Sequence, residues 1–323
     1  MDEQQINQLA DEAWEAIQTE DWATAEAHGQ SLLNLPHEYG YRILSMTALA
    51  QEDVEQAIRL TQEGIKAFPE AWQLQMQLGN IYLEGEDMKP ALKAFEKALE
   101  HPAAEKGSIR INQAIAYYQA QQLDEALNAL QLIEEEQYWI EALAMKLGML
   151  EEVGRSDLVK EVGEEELESL PLPETEDQSQ AMGRICLHIA RACWEADEEE
   201  ATTFYLRQAI EYDRTQEQAL WLWRERDPSF SDDPKAYSIL MTGKMRYQEE
   251  TVDFMTTYGV IADSLEEAVE FIKAYEIEAI DRDSLGVLEV EEGKEEELEV
   301  KGVYMVGGFG FMDETPETPE NQA

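Results

Sequence analysis

Two cysteines and one histidine lie close together in the segment GRICLHIARACW and have side chains that can bind a metal ion or form a redox pair. The apolar periodicity of this segment predicts a helix, in which Cys186 and Cys193 share one face while His188 points about 200° away from Cys186. Three ligands cannot converge on one ion from those directions. We therefore expect the cysteines, the only two in the chain, to be small buried side chains rather than a metal or redox site.

A second candidate for a metal site lies near the C-terminus. The segment from Asp281 to Gly286 resembles the start of an EF-hand calcium loop, and Glu292 falls at the twelfth position of such a loop. Leu285, however, stands where the loop needs an oxygen ligand, and the residues that follow have the pattern of a strand rather than a helix. The sequence therefore predicts a turn here and no calcium site.

A glycine-rich segment and several glutamate runs are the remaining candidates for a chemical site. The segment from Val306 to Phe311 lacks the GxGxxG spacing and precedes no helix, so we expect a bulge or a close backbone approach in a strand. The glutamate runs at 164–166, 198–200 and 295–297 have no pocket that would raise a carboxyl pKa, so we expect them to be solvated. The sequence thus predicts no enzyme activity, no cofactor and no metal.

The charge of the chain limits its partners. It has 71 acidic and 24 basic residues, a net charge of −47, and its first lysine or arginine is Arg42. Because this charge repels phosphates and anionic lipids, we expect no nucleic acid and no membrane as a partner. Two explanations remain open: the acids keep the protein soluble or suit a salty habitat, or they match the surface of a basic protein.

The composition indicates an ordered protein of the cytoplasm. Hydrophobic residues make up 44% of the chain, which is enough to form cores, and no apolar run reaches the roughly 18 residues of a membrane span. The first residues, Met1 to Gln5, lack the basic start and apolar stretch of a secretory signal. Two cysteines are too few for a disulfide framework, so we expect a cytoplasmic location.

Most of the chain has a repeating helical pattern with a period near 34 residues. Ala57, Ala91 and Ala126 recur at about this spacing, and Pro69 and Pro102 end successive units. Because a single helix pair of this kind cannot bury its apolar face alone, neighbouring pairs must stack on one another.

The clearest unit runs from Ala71 to Pro102 and predicts two helices separated by a turn. The first helix has one apolar stripe of Leu74, Leu78, Ile81 and Tyr82, and the second has a facing stripe of Ala91, Phe95 and Ala98. Through Leu78-Gly79, Tyr82, Ala91, Phe95, Ala98 and Pro102, this unit resembles the tetratricopeptide repeat (TPR) family. The resemblance extends to neighbouring units and implies a solenoid of helix pairs whose concave groove binds another protein.

The sequence predicts a mainly α protein with a small second domain. We expect a TPR-like solenoid over residues 1–226, a linker at 227–235, an α+β domain at 236–314 and a disordered tail at 315–323. Within the solenoid, a less regular helix pair at 138–167 is followed by a polar loop at 171–180 and by further helices from 181 to 226. The α+β domain has the order β-β-α-β-β, with strands near 237–241, 256–262, 285–290 and 300–306 and a helix that Ser264 caps. It resembles no family that we recognise.

The resemblance to TPR proteins also implies which residues line the groove. They are Arg42, Met46, Gln73, Met76, Asn80, Leu83, Ser108 and Tyr118. Asn80 matches an asparagine with which some members hold a peptide carboxylate, but the lysines that accompany it are absent, and Met76 and Ile111 stand at comparable positions. The expected ligand is therefore an apolar helix or extended segment, with Arg42 available for one acidic contact. The apolar members of the set could equally pack against an adjacent helix.

The leading functional hypothesis is a non-enzymatic adaptor that binds a segment of another protein in this groove, while its C-terminal domain docks on a second partner or on the end of the solenoid. One alternative is a highly acidic inhibitor or immunity-type protein that neutralises a basic, nucleic-acid-acting partner. Another is an enzyme whose site lies in the C-terminal domain, for which the sequence gives no positive evidence. The first two differ in salt dependence, because exposed charges are screened over about 8 Å at physiological ionic strength, whereas an apolar groove tolerates salt.

Overall fold

The computed structural model describes residues 3–231, 234–247, 250–294 and 300–311. The chain forms two compact units, Met1–Ala142 and Leu143–Ala323. The predicted disordered tail at 315–323, the glutamate run at 295–297 and part of the predicted linker lie outside the described residues.

The first unit is a stack of antiparallel helix pairs. Its helices are α1 (Glu3–Gln18), α2 (Trp22–Leu33), α3 (Tyr39–Ala50), α4 (Val54–Ala67), α5 (Trp72–Glu84), α6 (Met88–Leu99), α7 (Lys106–Gln119) and α8 (Leu123–Gln131). The turns within the pairs repeat one geometry, because Glu20, Glu52, Glu86 and Gln121 each have a positive φ between 55° and 63°. This regularity confirms the repeat that the sequence predicts.

Small residues at the predicted positions let the two helices of a pair pack closely. Ala57, Ala91 and Ala126 are fully buried at the start of each second helix, where a larger side chain would separate the helices. In the clearest unit, Phe95 of α6 is also fully buried and lies against Gly79 of α5. A Cβ atom at Gly79 would lie 2.6 and 2.9 Å from the Cδ1 and Cζ atoms of Phe95, so the helix crossing requires glycine there.

We predict that Gly79→Ala lowers the free energy of unfolding by about 1–2 kcal/mol, because overpacking against Phe95 exceeds the gain in helix propensity. Gly148 is a matched control, since a Cβ atom there would lie 3.6 Å from the Nε2 atom of His188, an ordinary contact. Gly148→Ala should therefore stabilise the chain by about 0.5–1 kcal/mol. Denaturant unfolding followed by circular dichroism measures both, and equal effects of the two substitutions would contradict the close crossing.

The second unit begins with further helices. They are α9, which starts in the first unit (Trp139–Glu152), α10 (Ser156–Leu167), α11 (Glu176–Glu195), α12 (Glu199–Tyr212) and α13 (Glu217–Glu225). Gly154 turns the chain between α9 and α10 with a φ of 72°, as expected. The predicted loop at 171–180 is too long, because α11 begins at Glu176. There the hydroxyl of Thr175 accepts a hydrogen bond from the backbone N–H of Gln178 at 3.2 Å and caps the helix.

An antiparallel sheet with one helix follows. Its elements are β1 (Lys235–Tyr247), β2 (Glu250–Ala262), α14 (Leu265–Tyr275), β3 (Ile280–Lys294), β4 (Gly302–Val306) and β5 (Gly310–Phe311). The strand order is β3-β1-β2-β4, and β5 also pairs with β2. The predicted order β-β-α-β-β is confirmed, although the first three strands are longer than expected and the short β5 is added.

The predicted turn at Asp281–Gly286 lies inside β3 as a bulge. Asp281 pairs with Lys244 and Gly286 pairs with Thr242, so the residues between them loop out opposite one residue of β1. Ser284 closes the bulge, since its hydroxyl donates to the Asp281 carbonyl at 2.6 Å and accepts from the backbone N–H of Lys244 at 2.8 Å. Backbone pairing with β1 on both sides of the bulge makes this segment part of a strand, and the local sequence does not reveal that pairing.

One hydrophobic core spans the helices and the sheet of the second unit. It includes Leu206 and Leu220 from α12 and α13, Tyr258 from β2 and Ile272 from α14. Between the helices and the sheet in sequence, the Ser229 carbonyl accepts a hydrogen bond at 2.7 Å from the backbone N–H of Lys301, just before β4. The division of the chain at the linker 227–235 stays a prediction, but the core continues across it.

Candidate functional site

The first helices of the pairs form a shared surface in the first unit. In the described residues, α1 contacts α3, α3 contacts α5 and α5 contacts α7 more closely than successive second helices contact one another. The first helices therefore lie on the tighter side of the stack, as the resemblance implies. We call the predicted groove residues, which α3, α5 and α7 carry, the inner face.

Arg42 marks one end of the inner face. Its guanidinium carbon lies 5.9 Å from the ring centroid of Trp14 and 5.7 Å from that of Tyr39, so two aromatic rings hold the charge. Its Nη1 atom is 3.9 Å from a carboxylate oxygen of Glu38. The side chain is 25% exposed, and burial lowers the pKa of Arg42 while Glu38 opposes that shift. The Nε atom is buried and makes no hydrogen bond in the part of the chain that the structure describes.

Gln77 joins α5 to α3 directly beside Arg42. Its side-chain nitrogen donates to the Arg42 carbonyl at 2.9 Å and also to the hydroxyl of the fully buried Ser45. These two hydrogen bonds set the position of α5 along α3 and thereby help to position Arg42. Sequence reasoning missed Gln77, although an amide at a position that helical periodicity buries is a usable signal for such a bond.

Asn80 lies in the middle of the inner face with an unusual buried acceptor. Its Oδ1 atom is buried and, within the described residues, accepts no hydrogen bond; the Nε atom of Arg110 in α7 is likewise buried without a partner. A buried polar atom without a partner costs about 1–3 kcal/mol. Such atoms are rare in native cores and need an explanation, of which completion by a ligand is one.

The other predicted groove residues are apolar and polar side chains of α3, α5 and α7. Met76 and Leu83 are partly buried and pack on the cluster that contains Phe95, and Met46 packs on the cluster of Ala48, Leu49, Ala57 and Ile81. Gln73, Ser108 and Tyr118 are half-buried, and the Ser108 hydroxyl donates to the Glu105 carbonyl at 3.1 Å. Ile111 is only 6% exposed and belongs to the core. The role of these residues in binding stays a prediction.

The cysteines and His188 lie on α11 in the second unit and face different surroundings. Both cysteines are fully buried. His188 instead meets Glu151 of α9 through its Nδ1 atom, and Arg191 donates to the same carboxylate at 2.9 Å. Among the described residues, no group of three or more His, Cys, Asp or Glu side chains is arranged to hold a metal ion.

The two thiols should be unreactive in the folded protein. Burial raises the pKa of Cys186 to about 12 and that of Cys193 to about 11, so little thiolate exists at pH 8. We predict that iodoacetamide at pH 8 leaves both cysteines unmodified for hours and alkylates both within minutes in denaturant, as mass spectrometry would report. Rapid alkylation of the native protein would contradict this burial.

The carboxylate of Glu151 should make the stability of the second unit depend on acid pH. Burial opposes ionisation, but the hydrogen bond and charge of His188, together with Arg191, outweigh it and lower the pKa of Glu151 below its usual 4.5. A lowered folded-state pKa stabilises the fold above the unfolded pKa, and the contribution is lost as the pH falls through the folded value.

Glu151→Gln should therefore reduce the free energy of unfolding at pH 7 by on the order of 1 kcal/mol. The difference between the variant and the unmodified protein should shrink as the pH falls below about 4.5. Denaturant titrations at a series of pH values measure it. Glu161→Gln at an exposed position of α10 is the control, and an identical pH profile for both variants would argue against the Glu151 contact.

Comparisons with known proteins identify the fold. No protein-family model matches this chain, and no match is found among curated proteins. The structure is similar to PilW, a widely conserved type IV pilus biogenesis factor, with a TM-score of 0.50 and 14% identity over 69% of this chain and 100% of that chain. The chain therefore has a TPR-like fold.

Two further solved structures are similar at lower scores. YrrB, described as a TPR protein with an unusual peptide-binding site, has a TM-score of 0.41 and 18% identity over 60% of this chain and 96% of that chain. The apo form of the quorum sensor NprR from B. thuringiensis has a TM-score of 0.47 and 16% identity over 69% of this chain and 70% of that chain.

No helix in the described ranges is long and apolar enough to cross a membrane.

Proposed function

We propose that this chain is a non-enzymatic protein-interaction scaffold that binds a segment of another protein on the inner face of its first unit. The observation that carries the proposal is the buried Oδ1 atom of Asn80, which accepts no hydrogen bond from the described residues, on a helix that also carries the half-buried Met76 and Leu83. A bound segment would supply the missing donor and cover the apolar atoms at the same time.

The chemistry of the inner face suggests what this segment contains. Met46, Met76 and Leu83 offer adaptable apolar contacts, and methionine in particular accommodates varied side chains. Rotation of the Asn80 side chain would let its buried oxygen accept one backbone N–H group of the segment. Arg42, which two aromatic rings hold in place, can donate to one carboxylate or carbonyl of the segment. The proposed ligand is thus an apolar helix or extended stretch with one acceptor at the Arg42 end.

The charge of the chain supports a protein partner rather than nucleic acid or membrane. A net charge of −47 repels phosphate groups at long range. The same charge is also compatible with the alternative function, an acidic inhibitor of a basic, nucleic-acid-acting protein. Binding to such a partner would depend on exposed carboxylates, so salt would weaken it strongly.

The proposal is tested by locating the partner on the surface of the full-length protein. A photo-crosslinking residue is placed at Gln73 on the inner face, and at the exposed Lys93 on α6 as a control. Irradiation in native lysate, followed by mass spectrometry, should give a partner that crosslinks from position 73 and not from position 93. Equal crosslinking from both positions would contradict binding at the inner face.

The affinity of the crosslinked partner then separates the two functions. Met76→Glu should weaken binding at least about tenfold, because it places a charge in an apolar contact. Ala27→Glu adds the same charge to an exposed position of α2 and should leave the affinity unchanged. Binding that survives 500 mM salt agrees with the inner face, whereas equal weakening by both substitutions and loss in salt would favour the acidic inhibitor.

A further inference from the structure

One edge of the C-terminal sheet is long and exposed. β3 has 15 residues and is the end strand in the order β3-β1-β2-β4, so one of its edges pairs with β1. Among the described residues, no strand pairs with its other edge. Along that edge Val287, Leu288 and Val290 are 41%, 60% and 39% exposed, which is unusual for an edge strand, since such strands usually avoid apolar side chains.

The register of β3 gives its two faces different chemistry. Val287 lies opposite Met241, and Val290 lies opposite Ile239. The register shifts between them, with Leu288 as the extra residue of a bulge, so the two valines share a face although they are three residues apart. Both β1 residues are fully buried, so the two valines extend the apolar face of the sheet. In the described residues, α14 packs mainly over β2 and β4 and leaves these valines exposed.

The opposite face of β3 carries acidic side chains. Glu289 pairs with Leu240 and Glu291 pairs with Ser238, on the side away from the buried face. Both glutamates are exposed. A strand added to this edge would therefore place alternate side chains beside two valines on one face and beside two carboxylates on the other.

The carboxylates discriminate between possible occupants. A second copy of β3 would bring like charges together on the same face, which destabilises cross-strand pairing. The C-terminal residues 312–323 of this chain contain four acids and no base, so they have the same disadvantage. A basic segment has the complementary charge.

We propose that the outer edge of β3 over residues 286–294 binds an extended basic segment of a partner protein as an additional strand. The segment alternates Lys or Arg, facing Glu289 and Glu291, with apolar residues that cover Val287 and Val290. Backbone hydrogen bonds supply the pairing, and the alternation supplies the specificity. This site lies in the second unit and uses none of the inner-face residues, so it goes beyond the proposed function and stands or fails separately from it.

The test uses a capped, dye-labelled octapeptide that alternates valine and lysine, with the full-length protein. Fluorescence anisotropy should show binding that weakens with salt, and amide hydrogen exchange should slow within residues 286–294. A peptide of the same sequence with alternate backbone nitrogens methylated keeps the charge but cannot pair along its edge, so it should bind at least about tenfold more weakly. Equal binding of the methylated peptide, or no slowing of exchange in β3, would overturn the proposal.

Charge-reversal variants locate the contact. Glu289→Lys with Glu291→Lys should weaken the peptide at least about tenfold. Glu26→Lys with Glu63→Lys makes the same change in net charge at exposed positions of α2 and α4 and should leave the affinity within about twofold. Equal losses of affinity in both double variants would show that the peptide responds only to the net charge of the protein, and would overturn the proposed site.

Two controls complete the design. Thermal unfolding followed by circular dichroism verifies that both double variants fold. Sedimentation of the chain alone tests for a second copy at the edge, because self-association that hydrogen exchange maps to β3 would contradict a basic partner segment.

Discussion

The second unit depends on covering the apolar face at the end of the helical stack. In a repeat protein each helix pair covers the preceding one, so the last pair needs a cap. Here the C-terminal sheet covers that face, and α11–α13 share one core with β1, β2 and α14. The fully buried Leu206, Leu222, Tyr258 and Ile272 belong to this core. The sheet is therefore part of the stability of the helices rather than an addition to them.

Three arginines fix the orientation of this cap. Arg207 of α12 donates to the Ala274 and Tyr275 carbonyls at 2.9 and 2.8 Å and so satisfies the C-terminal end of α14. Arg224 of α13 donates to the Val303 carbonyl at 2.6 Å. Because these bonds end on backbone carbonyls, they hold α14 and β4 in position without depending on the surface side chains of either element.

The third arginine forms a buried ion pair. Arg214 contacts the carboxylate of Glu276, which is fully buried, and also donates to the Gly307 carbonyl at 2.8 Å. The Tyr258 hydroxyl donates to the same carboxylate at 2.6 Å, and burial together with the charge of Glu276 raises the pKa of Tyr258. A buried pair adds little net stability but is costly to break. It therefore disfavours any other packing of the sheet on the helices.

The repeats could be predicted from sequence because their signals are local. Ala91, Phe95 and Gly79 lie within one unit, and their spacing alone determines which faces meet. The sequence leaves open whether the C-terminal domain docks on the helices or on a second partner. The contacts that orient the cap could not be predicted, because Arg214 and Glu276 are 62 residues apart and no periodicity connects them. The same holds for the Asp281 bulge, which needs β1 beside it. The TPR resemblance implies the groove positions. The hydrogen bonds of Gln77 and the unpartnered oxygen of Asn80 depend on how α3 and α5 pack, which the sequence does not show.

The use of bases inside the protein explains how its two proposed surfaces differ. With 24 lysines and arginines against 71 acids, most of the acids have no base to balance them, wherever the bases lie. Arg207, Arg214 and Arg224 hold the cap, and Lys146 contacts Glu166 at 2.6 Å. The remaining field is negative and attracts basic proteins from a distance. Where such a protein binds is then decided by local geometry. The inner face offers apolar atoms and the held cation of Arg42, and the β3 edge offers unpaired backbone groups between valines and glutamates.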